Sequence, residues 1–128
     1  MTYLWVALGG ALGSVARFAL STFLARRFGE SFPWGTIFVN VTGSFLIGVL
    51  AALSESGGKL AGAVTLQRFL VVGLCGGYTT FSAFSIQTLD LARSGHAVAA
   101  GLNVLVSVVV CLIAVWCGHL LGSACRGN

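Results

Sequence analysis

Between Arg68 and Asp90 the chain carries no charged residue, a gap long enough to cross a bilayer as helix. The centre of that gap suits a helix poorly. It reads Gly73-Leu74-Cys75-Gly76-Gly77-Tyr78-Thr79-Thr80-Phe81-Ser82-Ala83-Phe84-Ser85, a glycine pair followed by hydroxyls. Glycine lowers helix propensity, and Thr and Ser compete for backbone hydrogen bonds. Lipid tolerates irregular backbone at that depth only where protein or a cavity surrounds it. A crossing broken at the midplane can build an ion site, because each half presents free carbonyls or free N–H groups. Phe81 and Phe84 follow the break three apart, on one helical face.

The rest of the chain has the same character. Soluble domains hold about a quarter charged residues. This one holds 8%, with 57% hydrophobic residues and a mean hydropathy of +0.98. The expected fold is an all-α integral membrane protein, a single domain of 1–128 with four spans. The spans are placed at about 3–24, 34–53, 62–91 (broken near 76–80) and 98–121. Trp34 fits the aromatic belt at the membrane surface. The start, Met1-Thr2-Tyr3-Leu4-Trp5, lacks the basic region of a signal peptide, so the first span is expected to stay in the membrane.

Small and polar residues recur at helical spacing. Gly9 and Gly13, and again Gly118 and Gly122, are pairs that let another helix approach closely. Ser14, Arg17 and Ser21 share a face of the first span. Arg17 inside a span either snorkels to the interface as an anchor or lines an aqueous vestibule. Thr36, Asn40, Ser44 and Gly48 form a stripe on the second span, and Asn103, Ser107 and Cys111 one on the fourth. An amide in hydrocarbon needs a partner, so Asn40 either bonds a neighbouring helix or lines a pore.

The net charge of +4 is scattered and forms no patch, so nucleic acid is not an expected partner. A positive field would favour anions, or the charges only set topology. With four spans, Lys59, Arg68 and Arg126 fall on one side of the membrane and Arg26, Arg27 and Arg93 on the other. That balance leaves no excess to fix orientation. Insertion both ways, and pairing with an inverted copy, follows as an expectation. The four cysteines lack metal-site spacing and read as structural. Glu30, Glu55 and Asp90, the only acids, lie near loops, and no nucleophile–base pair can be placed, so an enzyme is not expected.

Three stretches together resemble the Fluc (CrcB) family of fluoride channels. They are Gly10-Ala11-Leu12-Gly13-Ser14-Val15-Ala16-Arg17-Phe18, Trp34-Gly35-Thr36 through Val39-Asn40 to Gly43, and the specific string Gly76-Gly77-Tyr78-Thr79-Thr80-Phe81-Ser82-Ala83-Phe84-Ser85. The resemblance covers all four spans in order. It implies an antiparallel, dual-topology homodimer with two fluoride pathways. It implies a structural sodium ion held by the backbone carbonyls of Gly76 and Thr79. It assigns fluoride contact to Phe81 and Phe84, the pore asparagine to Asn40 and a polar track to Asn103 and Ser107. Thr36, Thr80, Ser82 and Arg17 complete the candidate pathway. Many relatives have Tyr where Asn103 stands and Thr where Ala83 stands.

The implied role is passive fluoride export across a bacterial inner membrane, lowering fluoride toxicity. The implied partners are fluoride, a second copy and lipid. A small dual-topology multidrug transporter is the alternative, but it needs a membrane-embedded carboxylate. A non-transporting assembly subunit would account for the glycine pairs and not for the break.

Overall fold

The computed structural model describes residues 1–55 and 57–126. Ser56, Gly127 and Asn128, and the Arg126 side chain that entered the charge tally, lie outside the described residues. The described residues are helical with no strand. Helix α1 is Thr2–Phe28 and α2 is Trp34–Ser54. The third crossing, Val64–Arg93, is composite. It opens with α3 (Val64–Gln67), continues as a π-helical segment (Arg68–Cys75) and ends its first half as α4 (Gly76–Tyr78). After an interruption, α5 (Phe81–Arg93) completes it. Helix α6 is Ala97–Arg126. Four helical stretches are long and apolar enough to cross a membrane, as a multi-pass protein requires.

Short loops make successive crossings antiparallel. At the end of α1, Gly29 takes φ 87°, a left-handed value that a Cβ would oppose, and its N–H closes on the Ala25 carbonyl at 2.8 Å.

Two helix pairs form the body. The first half of the third crossing lies on α1, and α6 lies on α2. Both pairs meet backbone to backbone. A methyl on Gly13 would stand 2.8 Å from the Tyr78 nitrogen, and one on Gly73 would stand 2.9 Å from the Val6 carbonyl. A methyl on Gly118 would overlap the Phe45 carbonyl, and one on Gly122 would lie 2.7 Å from that of Val49. In lipid, association depends on such close packing and on interhelical hydrogen bonds. The buried side chains are accordingly small: the largest wholly buried ones are Val39, Asn103 and Cys75. The bulky apolar residues point outward, where lipid is as good a solvent as a core.

The interruption does not fall on the glycine pair. Gly76 is helical (φ −64°, ψ −36°), and the extended residues are Thr79 (ψ 157°) and Thr80 (φ −151°, ψ 118°). Gly77 serves contact instead: a methyl on it would stand 2.9 Å from the Gly10 Cα. The threonines break the helix because their hydroxyls satisfy the backbone locally. Thr79 Oγ1 donates to the Cys75 carbonyl at 2.9 Å, and Thr80 Oγ1 accepts from the Ala83 N–H at 3.2 Å, as the N-cap of α5.

Candidate functional site

A broken crossing leaves unpaired groups, and each is worth about 1–3 kcal/mol if buried without a partner. Most find one on a neighbouring helix. Asn40 Nδ2 donates to the Thr80 carbonyl at 3.0 Å, and Asn40 Oδ1 accepts from the Thr80 N–H at 2.8 Å. Arg17 Nε donates to the Gly77 carbonyl at 3.1 Å, and Ser14 Oγ reaches the same oxygen at 3.4 Å. A guanidinium at the C-terminal end of α4 also answers the negative end of that half-helix. The Tyr78 and Thr42 hydroxyls are 2.9 Å apart, pinning α4 to α2.

One pair of carbonyls is treated differently. Among the described residues no side chain donates to Gly76 or Thr79, although Gly77 and Thr80 beside them are both engaged. Gly76 is exposed, and nothing lies within 4 Å of where a Cβ would stand. Peptide oxygens that take no side-chain donor are hard donors of the kind that suits a hard cation.

Two openings flank the break. A groove of about 290 Å³ is lined by Asn40, Ser44, Thr80, Phe81, Phe84, Ser107 and Cys111 among others. The Phe81 and Phe84 rings stand 5.2 Å apart between centroids, tilted by 47°. A wider cleft of about 700 Å³ opens beside it and is lined by Arg17, Ser21, Thr36, Thr80 and Gln87 among others. Thr80 lines both, so it stands at the junction between them. Arg17 therefore lines the cleft while tied to the break; it does not reach away to the interface.

The candidate residues are only partly gathered within one chain. The groove collects Asn40, Thr80, Phe81, Phe84 and Ser107, and the cleft collects Arg17 and Thr36. Asn103 lines neither: it is 1% exposed and donates through Nδ2 to Thr88 Oγ1 at 2.8 Å. Ser107 Oγ reaches Asn103 Oδ1 at 3.4 Å, and Thr88 Oγ1 donates to the Phe84 carbonyl at 2.7 Å. A buried polar chain thus runs from the groove to the helix that carries the rings. Ser82 is exposed, its hydroxyl 3.2 Å from that of Thr80. Phe81 is 78% exposed.

Two participants were absent from the sequence reading. Thr88 links Asn103 to α5. Gln87 lines the cleft, and its Oε1 is buried with no hydrogen-bond partner among the described residues. Both follow Phe84 on α5, at three and four residues, and an amide inside an apolar span was the available signal. His119, toward the end of α6, pairs with Glu55, Nε2 to Oε1 at 2.9 Å.

Over residues 4–119 the chain matches the family model described as CrcB-like protein, Camphor Resistance (CrcB). It is 55% identical over 118 residues to a protein of Opitutus terrae, covering 92% of this chain and 89% of that one. It is 49% identical over 124 residues to one of Methylocella silvestris, covering 97% and 95%. A third, from Rhodospirillum rubrum, is 52% identical over 120 residues, covering 94% and 93%. All three are named fluoride-specific ion channel FluC.

Proposed function

This chain belongs to the CrcB-like family, and from that premise we propose that it is a fluoride-selective channel. It lets the anion leave a bacterial cytoplasm down its gradient, through the inner membrane, and so lowers fluoride toxicity. It is an ion channel, as its relatives are named, and not an enzyme. The observation that carries the reading is the groove where Asn40, Thr80, Phe81, Phe84 and Ser107 meet without a carboxylate.

The chemistry follows from those groups. An anion crossing the cleft, which Glu30 and Asp90 also line, meets the Arg17 guanidinium beside the break as an attracting cation. Thr80 passes it to the groove. Asn40 commits one N–H and its oxygen to Thr80, leaving the second N–H as a donor. The Phe81 and Phe84 ring edges are weakly positive and solvate a small anion without trapping it. Conduction needs binding strong enough to enter and weak enough to leave.

Several features support assembly with an inverted second copy. Gly76, Phe81, Ser82 and Ser85 are exposed around the centre of the third crossing. Hydroxyls and an open helix break facing lipid are unfavourable, and a partner chain removes them from it. The even split of basic residues between the two membrane sides permits both orientations. Such a dimer carries two pathways. The Gly76 and Thr79 carbonyls, with their counterparts, would hold a sodium ion at its centre. When bound, that ion supplies a fixed positive charge that lowers the cost of an anion nearby.

Proton-coupled drug export is not favoured. Glu30 and Glu55 lie in loops and Asp90 lies near the end of α5, so no carboxylate stands at a span centre. The test is ion release from proteoliposomes containing the purified chain, read with ion-selective electrodes. Fast electrogenic fluoride release with chloride retained is the expected result. Equal release of both ions, or of neither, overturns the reading.

A further inference from the structure

A third cavity lies on another face of the bundle and plays no part in the proposed pathway. It is a groove of about 460 Å³ lined by Leu24 and Phe28 of α1, Trp34, Phe38 and Val41 of α2, and Val110 of α6. Every one of these side chains is apolar or aromatic. From Trp34 to Val41 it descends along α2 by about 10 Å, a large part of one leaflet's hydrocarbon depth. Val41 and Phe38 lie roughly 100° and 160° around α2 from Asn40, so the groove turns away from the break and from the face that would meet a second copy.

The mouth of the groove has the opposite chemistry. The last turn of α1 carries Arg26 and Arg27, both exposed and neither with a hydrogen bond or ion pair among the described residues. Arg27 follows Leu24 by three residues and adjoins Phe28, so it stands on the groove side; Arg26 falls on the opposite side of α1. Trp34 sits across the mouth, its ring 4.8 Å from that of Phe32, in the place where an amphipathic ring meets headgroups. Glu30, the one acid in this loop, lines the ion cleft instead. A cation above an apolar slot, at the level of the membrane surface, matches an anionic phospholipid: phosphate on Arg27, acyl chain on Phe38 and Val41. We propose that this groove is a binding site for one anionic phospholipid per subunit.

The test uses the full chain with Trp5→Phe and Trp116→Phe, so that Trp34 alone reports. It is reconstituted in phosphatidylcholine vesicles containing a minor fraction of acyl-brominated phosphatidylcholine or acyl-brominated phosphatidylglycerol. One arginine at the surface gives about a fivefold preference for the anionic lipid in quenching of Trp34. Arg27→Gln should remove that preference, and Arg26→Gln should keep most of it. Val41→Phe, which fills the floor, should weaken quenching by the anionic lipid even where Arg27 is intact. Equal quenching by the two lipids, or a preference that survives Arg27→Gln, overturns the proposal. So does a Trp34 that neither lipid quenches, which would mean that protein covers the groove.

Discussion

Asn40 grips both backbone groups of Thr80, donating to the carbonyl at 3.0 Å and accepting from the N–H at 2.8 Å. One side chain on α2 thereby replaces two hydrogen bonds that the third crossing gives up where it breaks.

Asn40→Ala should therefore act on fold and flux together. Two backbone groups lose their partners, at a cost of about 1–3 kcal/mol each if they stay buried. Thermal unfolding in detergent should shift down by several degrees, and fluoride release should fall by at least about tenfold, as a cost of 1.4 kcal/mol at the barrier implies. Asn40→Asp keeps the acceptor, loses the donor and sets a negative charge beside the groove. It should be closer to the parent in stability and as poor in flux.

Gln87 should separate the two properties. Its Oε1 is buried without a partner among the described residues, so removing it breaks no bond seen there. Gln87→Leu should leave stability unchanged to within about 0.5 kcal/mol, or raise it. Fluoride release should nevertheless drop, because the cleft loses a polar group at its wall. Melting curves and electrode traces on the same preparation check this; a large destabilisation with normal flux would contradict it.

Two glycines should fail differently. A methyl on Gly118 meets the Phe45 carbonyl of the same subunit, so Gly118→Ala forces α2 and α6 apart, at about 1–3 kcal/mol. Gly76 has open space in its own chain. Gly76→Val should leave the subunit helical by circular dichroism and disturb only its pairing and any cation held there. Size-exclusion chromatography with light scattering reads the pairing. A Gly76→Val protein that still runs as a dimer, with unaltered flux, would remove that face from the interface.

The ring pair is tested by size. Phe84→Ala and Phe81→Ala should each suppress fluoride release strongly, since the edge-on solvation has no substitute among the groove's aliphatic residues. Phe81, largely exposed in its own chain, should cost little stability when truncated in an isolated subunit. Unaffected release in both variants would move the pathway elsewhere.

Much of this was legible in the residues. The uncharged run from Arg68 to Asp90 and the low overall charge required a membrane and left length for four crossings. The glycine pairs announced close approach, and α1 and α6 use them in that way. The site was legible as residue types but not as partners. Asn40 could be seen to need a bond, and nothing local said that Thr80 would supply both halves of it. Arg17 had two readings, and its Nε settles on Gly77, a residue sixty positions away.

Local chemistry settles what depends on near neighbours: hydropathy per turn, helix spacing, and the turn at Gly29. The sequence by itself thus determined a four-span helical protein with an interrupted third crossing. Only the tertiary structure decided where the interruption falls. The glycine pair is the weaker local sequence, yet it stays helical with α1 packed against Gly77, while Asn40 from α2 makes the extended form affordable at Thr80. A backbone group in lipid must be satisfied by whatever donor or acceptor the fold brings within reach, and that is a property of the packed helices rather than of any one segment.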